Sequence, residues 1–241
     1  MGVRSLASII GALCALAGCA QPVTQATAQP DPVPVDGVGY VIFNAPINAS
    51  SRDLLLADIE KFRGKGATEI RIGMNSPGGE IDAAQGIVDY MNRMHERNGV
   101  TFKAYNLGLV ASAATYVFLN AQERYSAPAS AFLFHAAGAV STGLVTAQNL
   151  RESADKLDVY ERILRAVMAR RTRLSDAETL TYVRRTVVLN ADDARRDGIV
   201  DAIGIFSVPK GARGWVIATR PTGRATTRPG PSEAGQTSGG M

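Results

Sequence analysis

Hydrophobic residues recur along residues 38–207 with two spacings, one typical of strands and the other typical of helices. Short apolar or alternating runs predict strands at residues 39–43, 69–74, 100–107, 131–134 and 199–206. Apolar residues three or four positions apart predict helices that begin at Ser51 and after Ser112, and helices over residues 80–97, 144–171, 175–185 and 191–197. This alternation of strand and helix favours an α/β fold, in which helices pack on a mostly parallel sheet. We therefore expect one folded domain over residues 38–207.

The segments on either side of this domain lack the two spacings. Residues 19–37 are rich in Pro, Gln, Thr and Ala, and this composition predicts a flexible tether. Residues 208–241 are rich in Gly, Pro, Thr and Arg, and we expect a disordered tail there because the segment has no apolar face to bury.

The first residues have the form of a targeting segment. Arg4 precedes an apolar run, Leu6–Gly18, which is too short for a typical membrane-spanning helix and is typical of a secretory leader. The run ends in Leu-Ala-Gly-Cys, which resembles a bacterial lipobox. We therefore expect residues 1–18 to be a signal peptide and Cys19 to carry a lipid that holds the exported protein on a membrane, on the periplasmic side of the bacterial cell envelope. An ordinary signal peptide, cut at a nearby small residue, is the alternative.

Charge and cysteine content narrow the classes of function. The net charge is +4, and the arginines are spread along the chain without interleaved aromatic residues, so we expect no nucleic-acid partner. The two cysteines are Cys14 and Cys19, and Cys14 lies inside the predicted leader. We therefore expect neither a disulfide framework nor a thiolate metal site, and we expect no cofactor.

Three segments carry candidate chemistry. The loop Met74–Glu80 lies between a predicted strand and a predicted helix, and its proline and two glycines allow a turn that aims backbone N–H groups at an anion. Ser112 lies among small apolar residues. Of the two histidines, His95 is predicted to be a surface residue, whereas His135 ends a predicted strand, where catalytic groups are often presented. The loop has neither the dinucleotide-binding spacing nor the lysine of a phosphate-binding loop.

Taken together in this order, these segments resemble the Clp proteolytic subunit family, the serine peptidases of the ClpP/crotonase superfamily. The resemblance covers residues 38–206 and rests on four segments: NSPGG (75–79), GLVASA (108–113), PASAFLFH (128–135), and VLNADDA (188–194) followed by GIVD (198–201). It implies a ClpP/crotonase-like fold built from repeated β-β-α and βα units. The 23 residues that separate Ser112 from His135 are also close to the spacing in that family.

The resemblance implies a catalytic arrangement. Ser112 takes the place of the nucleophile, and His135 is the general base that removes its proton. The N–H groups of Gly79 and Ala113 take the place of the oxyanion hole, where they stabilise the tetrahedral intermediate. The substrate implied is a peptide or a protein, and the activity is that of a serine endopeptidase.

The chain departs from the family at the third member of the triad. The acidic residue should fall just before Val187, and Thr186 occupies that place. A threonine hydroxyl accepts the N–H of a histidine but does not stabilise an imidazolium as a carboxylate does. Asp192, Asp193 and Asp201 are alternative acids from the same part of the chain.

Two other functions stay open. Lys156, on the predicted helix 144–171, is a candidate base for a Ser–Lys dyad like that of the signal-peptide peptidases. Thr186 is consistent with a catalytically silent scaffold or binding module. A crotonase-type acyl-CoA enzyme conflicts with export, because an exported protein meets little acyl-CoA.

The predicted location also bears on partners. Because no ATP is available to a protein exported across the membrane, we expect no partner that is an ATP-driven unfoldase. The family forms rings through the helix that follows its histidine, so residues 144–171 are the expected surface for a homo-oligomer.

Overall fold

The computed structural model describes residues 31–138, 144–219 and 225–229, without the side chains of residues 219 and 225–229. Within these ranges the strands are β1 (Val38–Asn44), β2 (Glu69–Ser76), β3 (Thr101–Ala111), β4 (Glu123–Ser126), β5 (Ala131–Phe134), β6 (Val187–Asn190), β7 (Ala202–Ile203), β8 (Trp215–Thr219) and β9 (Ala225–Pro229). The helices are α1 (Ala49–Arg63), α2 (Ile81–Asn98), α3 (Ala113–Leu119), α4 (Ala147–Arg171), α5 (Asp176–Arg184) and α6 (Ala191–Arg196). The predicted leader and Cys19 lie outside the described residues.

All nine described strands belong to one sheet. Their order is β6-β5-β3-β2-β1-β8-β9, and β4 pairs with β3 and β7 beside that path. The pairs β5–β6 and β8–β9 are antiparallel, and the other described pairs are parallel. Parallel neighbours need long crossover connections, which α1, α2 and α3 supply in turn. The predicted α/β fold, with a mostly parallel sheet flanked by helices, is confirmed.

The core lies between the central strands and the helices that connect them. Phe62 of α1, Ile87 of α2 and Phe118 of α3 are fully buried, as is Phe102 of β3. Complete burial of an aliphatic or aromatic side chain contributes about 2 kcal/mol to the stability. Because this core joins β1, β2 and β3, it holds the carboxyl ends of these three strands in a fixed relation to one another.

Strand β3 changes its partner halfway along its length. Its first half pairs with β4 and its second half with β5. Asn106, with 0% of its surface exposed, lies at the change. Its Nδ2 donates to the Ala131 carbonyl oxygen at 2.8 Å, and its Oδ1 accepts from the Gly108 N–H at 3.0 Å. The amide thus pairs backbone groups where the β4 ladder gives way to the β5 ladder, and β5 ends at the same edge of the sheet as β3.

The chain beyond residue 207 differs from the prediction. The sequence predicted that the domain ends at residue 207 and that residues 208–241 form a disordered tail. In the structure, β8 instead adds to the edge of the sheet in parallel with β1, and β9 pairs with β8. Trp215 is 3% exposed and Ile217 is fully buried, and the Lys61 ammonium lies 4.7 Å from the centre of the Trp215 ring. The apolar run from Trp215 to Ala218 therefore packs as an added strand, although polar and glycine-rich segments surround it. Residues 220–224 and 230–241 lie outside the described residues.

Two further differences concern the end of the predicted tether and the last predicted strand. The tether was predicted to reach residue 37, but Val33 forms an antiparallel bridge with Arg213. The strand predicted at 199–206 is limited to β7, because Ile199 and Val200 are buried in the turn that follows α6. Among the described helices, none combines the length and hydropathy that a membrane span requires.

A buried arginine ties the end of α4 to the sheet. Arg124 of β4 is 6% exposed. Its Nη2 donates to Asp201 Oδ1 at 2.9 Å, and its Nη1 donates to the Arg171 carbonyl oxygen at 2.7 Å. The Arg124 backbone N–H also donates to Asp201 Oδ2 at 2.8 Å. One guanidinium therefore satisfies a carbonyl at the C-terminus of α4, where a helix leaves its last carbonyls unpaired.

Removal of Asp201 is expected to destabilise the protein more than removal of Arg124. Asp201→Ala leaves a buried guanidinium without its counterion, and we expect the free energy of unfolding to fall by about 2–3 kcal/mol. Arg124→Met keeps most of the side-chain volume and leaves a carboxylate that is 46% exposed and can be solvated, so its cost is smaller. Urea unfolding measures both, with Asp155→Ala on the exposed side of α4 as the control. Equal stability of Asp201→Ala and the control would contradict this role.

Candidate active site

Ser112 lies on a strained turn between β3 and α3. Its φ is 53° and its ψ is −129°, so it occupies a region that residues with a Cβ rarely adopt. Its N–H donates to the Leu133 carbonyl oxygen at 2.8 Å, and its own carbonyl oxygen accepts from Thr115 Oγ1 at 2.7 Å. Such backbone strain costs about 1–3 kcal/mol and persists only where surrounding contacts impose it. The turn presents the partly exposed Ser112 side chain between the buried residues Ala111 and Ala113.

The loop between β2 and α2 lies directly against this turn. A methyl group added at Gly78 would lie 2.6 Å from the Ser112 Cβ and 2.9 Å from the Ala113 N. Gly78 has φ +89° and Gly79 has φ +146°, and glycine is the residue that adopts such angles without strain. Glycine is therefore needed at 78 because the loop and the Ser112 turn touch.

Among the described residues, no hydrogen-bond acceptor lies against the N–H groups of Gly79 and Ala113. The Gly78 carbonyl oxygen accepts from the Ile47 N–H at 2.8 Å. In a trans peptide the N–H points opposite to the preceding C=O, so the Gly79 N–H points away from Ile47. Ala113 is the first residue of α3, and a first-turn N–H has no acceptor within its own helix.

His135 directly follows β5 and is exposed. Its Nδ1 lies 2.7 Å from the Ala136 carbonyl oxygen. Because a carbonyl oxygen only accepts, Nδ1 carries the proton in this bond, and Nε2 of the neutral ring is left as the acceptor. A backbone carbonyl thus occupies the place that a carboxylate holds in a serine triad.

Thr186 and His135 are the residues next to the last pair of the β5–β6 ladder. That pair is Phe134 with Val187, so His135 directly follows β5 and Thr186 directly precedes β6. Thr186 is exposed, and the His135 Nδ1 bonds to Ala136 rather than to the threonine hydroxyl. The role of Thr186 as third triad member stays a prediction, and the described hydrogen bond of the His135 Nδ1 is to a backbone carbonyl.

The three alternative acids lie elsewhere. Asp192 and Asp193 follow Asn190, which pairs with Ala131 at the opposite end of β5 from His135, and a strand advances about 3.4 Å per residue. Asp193 accepts from Arg196 at 2.5 Å, and Asp201 pairs with Arg124. None of the three is brought to His135, so the prediction that one of them replaces the triad acid finds no support in the structure.

A cavity of about 1360 Å³ connects the predicted catalytic residues. Its wall includes Gly79, Ser112, Ala113 and His135, and the other side of the cavity is formed by α4. The structure thus gathers both predicted oxyanion donors, the predicted nucleophile and the predicted base around one space. Thr186 is not among the residues that line it.

Lys156 lines the same cavity but does not have the character of a base. Its Nζ lies 3.0 Å from Asp82 Oδ2. The hydrogen bond to Asp82, followed by that to Tyr160, raises the pKa of Lys156, whereas a lysine that removes a proton from serine needs a lowered pKa. The Ser–Lys dyad therefore has no support in the contacts of Lys156.

Sequence reasoning missed the polar contacts on the α4 side of the cavity. Asp82 accepts from both Lys156 and Tyr160, and Glu161 pairs with Arg184 through both of its oxygens. Lys156 and Tyr160 are four residues apart on α4, a spacing that places them on one face of the helix. Their partner Asp82 is distant in sequence and could not be found from spacing alone.

The parallel sheet, the strained serine turn and the histidine at the end of the neighbouring strand define a ClpP-like α/β protein. A family model described as Clp protease matches residues 40–205, which is more than half of the chain. The chain therefore belongs to the Clp protease family, and the family predicted from the four sequence segments is confirmed. The strands β8 and β9 lie outside the matched region.

A solved structure supports the same fold. The chain is similar to a mutant of ClpP1 from Listeria monocytogenes, with a TM-score of 0.60 and 23% sequence identity. The likeness covers 69% of this chain and 91% of that chain.

Replacement of Gly78 is expected to distort the Ser112 turn. In Gly78→Ala the new methyl group meets backbone atoms within 3 Å, so we expect a loss of about 2–4 kcal/mol in the free energy of unfolding. Gly66→Ala is the matched control, because Gly66 has φ +85° and no atom lies within 4 Å of its added methyl group. The control should lose only about 1 kcal/mol, from the backbone angle alone. Urea unfolding of the two variants separates the cost of the methyl contact at residue 78 from the cost of the backbone angle. Equal losses of unfolding free energy in the two variants would refute a close contact between the Gly78 loop and the Ser112 turn.

Proposed function

We propose that this protein is a serine peptidase that hydrolyses peptide bonds through an acyl-enzyme on Ser112. Membership of the Clp protease family supports a serine peptidase in general. The observation that carries the particular site is the strained turn at Ser112, which lies in one cavity with His135. A positive φ at a non-glycine residue is costly, and strain of this kind is common at nucleophiles that must stand clear of the backbone.

The proposed reaction follows from the groups around the cavity. His135 Nε2 takes the proton of the Ser112 hydroxyl while Oγ attacks the substrate carbonyl carbon. The carbonyl oxygen becomes an oxyanion, and the N–H groups of Gly79 and Ala113 donate to it, each worth about 3 kcal/mol of barrier. The amine then leaves with the proton from His135. Water, activated by the same ring, hydrolyses the ester and restores Ser112.

The environment of His135 favours a slow enzyme. The Ala136 carbonyl oxygen holds the ring in the tautomer that the reaction needs. A carbonyl carries no formal charge, so it stabilises the imidazolium less than the carboxylate of a complete triad. The same observation favours the second candidate function, a catalytically silent scaffold or binding module.

We further propose that the protein works at the cell envelope, held to a membrane through a lipid on Cys19, and that it acts without an ATP-driven unfoldase. The leader sequence and the lipobox resemblance support this location. Self-association through residues 144–171 is the expected mode of assembly. Leu150 and Val159 on this segment are 60% and 42% exposed, which suits a helix that meets another copy.

A fluorophosphonate probe tests the nucleophile. Such a probe reacts with activated serine hydroxyls, so it should label the wild-type protein and leave Ser112→Ala unlabelled. Ser153→Ala, which removes a hydroxyl from the α4 side of the same cavity, should be labelled at the wild-type rate. His135→Ala should be labelled at least about 100-fold more slowly, because the general base is lost. Equal labelling of Ser112→Ala and wild type would exclude Ser112, and loss of labelling in Lys156→Ala alone would favour the dyad.

Restoration of the missing carboxylate tests the triad. In Thr186→Asp a charged acceptor lies opposite His135, so we expect kcat for a fluorogenic peptide to rise by at least about tenfold. The control is Val188→Asp, which adds the same charge to β6, two residues further from His135. An unchanged kcat in Thr186→Asp, together with normal folding, would favour the silent scaffold.

A further inference from the structure

The first half of α4 lies over the cavity and is not buried in the core. Of its 25 residues only Val167 and Met168, near its C-terminal end, are buried. Leu157 lies more than two turns earlier, lines the cavity and is only half-buried. Apolar packing therefore fixes the second half of the helix, whereas the height of the first half above Ser112 has to be set by other contacts.

Asp82 supplies the contact on one side of the cavity. It lies in the first turn of α2, three residues after Gly79, and accepts from the Lys156 Nζ at 3.0 Å and from the Tyr160 hydroxyl. The Lys156 Nζ also lies 5.5 Å from the centre of the Tyr160 ring. The bond from Tyr160, followed by that from Lys156, lowers the pKa of Asp82. One carboxylate thus joins two successive turns of α4 to the segment that carries a predicted oxyanion donor.

Glu161 supplies the contact on the other side. Both of its oxygens accept from Arg184 Nε, at 3.1 and 3.0 Å, and its carboxylate also pairs with Nη2 at 3.0 Å. Arg184 is the last residue of α5, just before β6. Charged side chains in the first half and near the middle of α4 therefore hold the helix on both sides of the cavity, whose wall includes Ser112 and His135.

We propose that Asp82 is a positioning residue that sets the height of α4 above Ser112 and thereby the fit of the cleft to a short peptide. It acts through Lys156 and Tyr160 and does not take part in bond cleavage. The expected change in KM rests on the proposed peptidase function, whereas the expected change in the position of α4 does not.

The expected effect is moderate, because the groups are exposed. The side chains of Lys156 and Asp82 are 58% and 72% exposed, and a solvent-exposed ion pair contributes little. Asp82→Asn keeps the size of the side chain and removes its charge. We expect the KM for a short fluorogenic peptide to rise about two- to fivefold, while kcat changes by less than about twofold.

Hydrogen exchange gives a readout that is independent of catalysis. The amides of residues 150–162 should exchange about two- to fivefold faster in Asp82→Asn than in wild type, because that half of α4 is released. Amides around Val167 and Met168 should be unchanged. Both measurements use the full-length protein, and the difference from wild type should shrink at high ionic strength, where the ion pair is screened.

Two variants serve as controls. Asp82→Glu keeps a carboxylate within reach of Lys156 and Tyr160 and should restore both the KM and the exchange rates. Asp155→Asn removes one negative charge from α4 next to Lys156, outside the cavity wall, and should behave as wild type. Comparison of Asp155→Asn with Asp82→Asn therefore separates the effect of a changed charge from the loss of the contact between Asp82 and α4.

The first two of three other outcomes would contradict the proposed role of Asp82, and the third would contradict the proposed function. Wild-type exchange rates in Asp82→Asn would show that α4 is held without Asp82. A raised KM with unchanged exchange would mean that Asp82 contacts the substrate directly. If neither wild type nor variant reacts with a peptide or with a fluorophosphonate, the proposed function fails, and the exchange data alone then decide whether Asp82 holds α4.

Discussion

The candidate site depends on the way in which β3 exchanges one partner for another. A single strand pairs with β4 over its first half and with β5 over its second, and the buried Asn106 amide bonds the backbone at the point of change. Without that change β5 would have no place beside the end of β3. The turn at Ser112 would lose the Leu133 carbonyl that holds its N–H, and His135 would not reach the same cavity.

Most of the fold could be predicted from local patterns in the sequence, and the errors of that prediction have physical causes. Strands β1, β2, β3 and β5 consist of apolar or alternating runs, which periodicity detects. Strand β4 escaped prediction because its sequence, ERYS, is polar, and it is stabilised by pairing with β3 and by the Lys103–Glu123 ion pair at 3.0 Å. Strand β8 escaped because its short apolar run, WVIA, begins a segment rich in Gly, Pro, Thr and Arg, and its partner, β1, lies more than 170 residues earlier in the chain. Contacts between such distant segments leave no periodic signal.

The candidate site likewise has some features that the local sequence reveals and others that it does not. Ser112, His135 and the Gly78–Gly79 loop could be found because each has an unusual local sequence, and the order of the segments carried the family. The same order of segments assigns Thr186 to the third triad position, and this assignment stays a prediction, because the β5–β6 pairing ends at Phe134 and Val187. The partner of the His135 Nδ1 could not be predicted, because it is a backbone carbonyl and every residue has one. The fastening of α4 by Asp82 likewise joins side chains 74 residues apart.

The bridge between Val33 and Arg213 has a mechanical consequence. The chain enters β1 beside the point where it approaches β8, and β1 lies between β2 and β8 with both neighbours parallel to it. Val35 also bridges Val38 in antiparallel fashion, across a turn at Asp36 and Gly37, so the residues before β1 run back alongside it. Tension on those residues therefore loads these two bridges before it reaches the hydrogen bonds between β1 and its neighbours. A load applied at that end of the domain would thus have to open two short bridges before it acts on the strands whose carboxyl ends form the cavity.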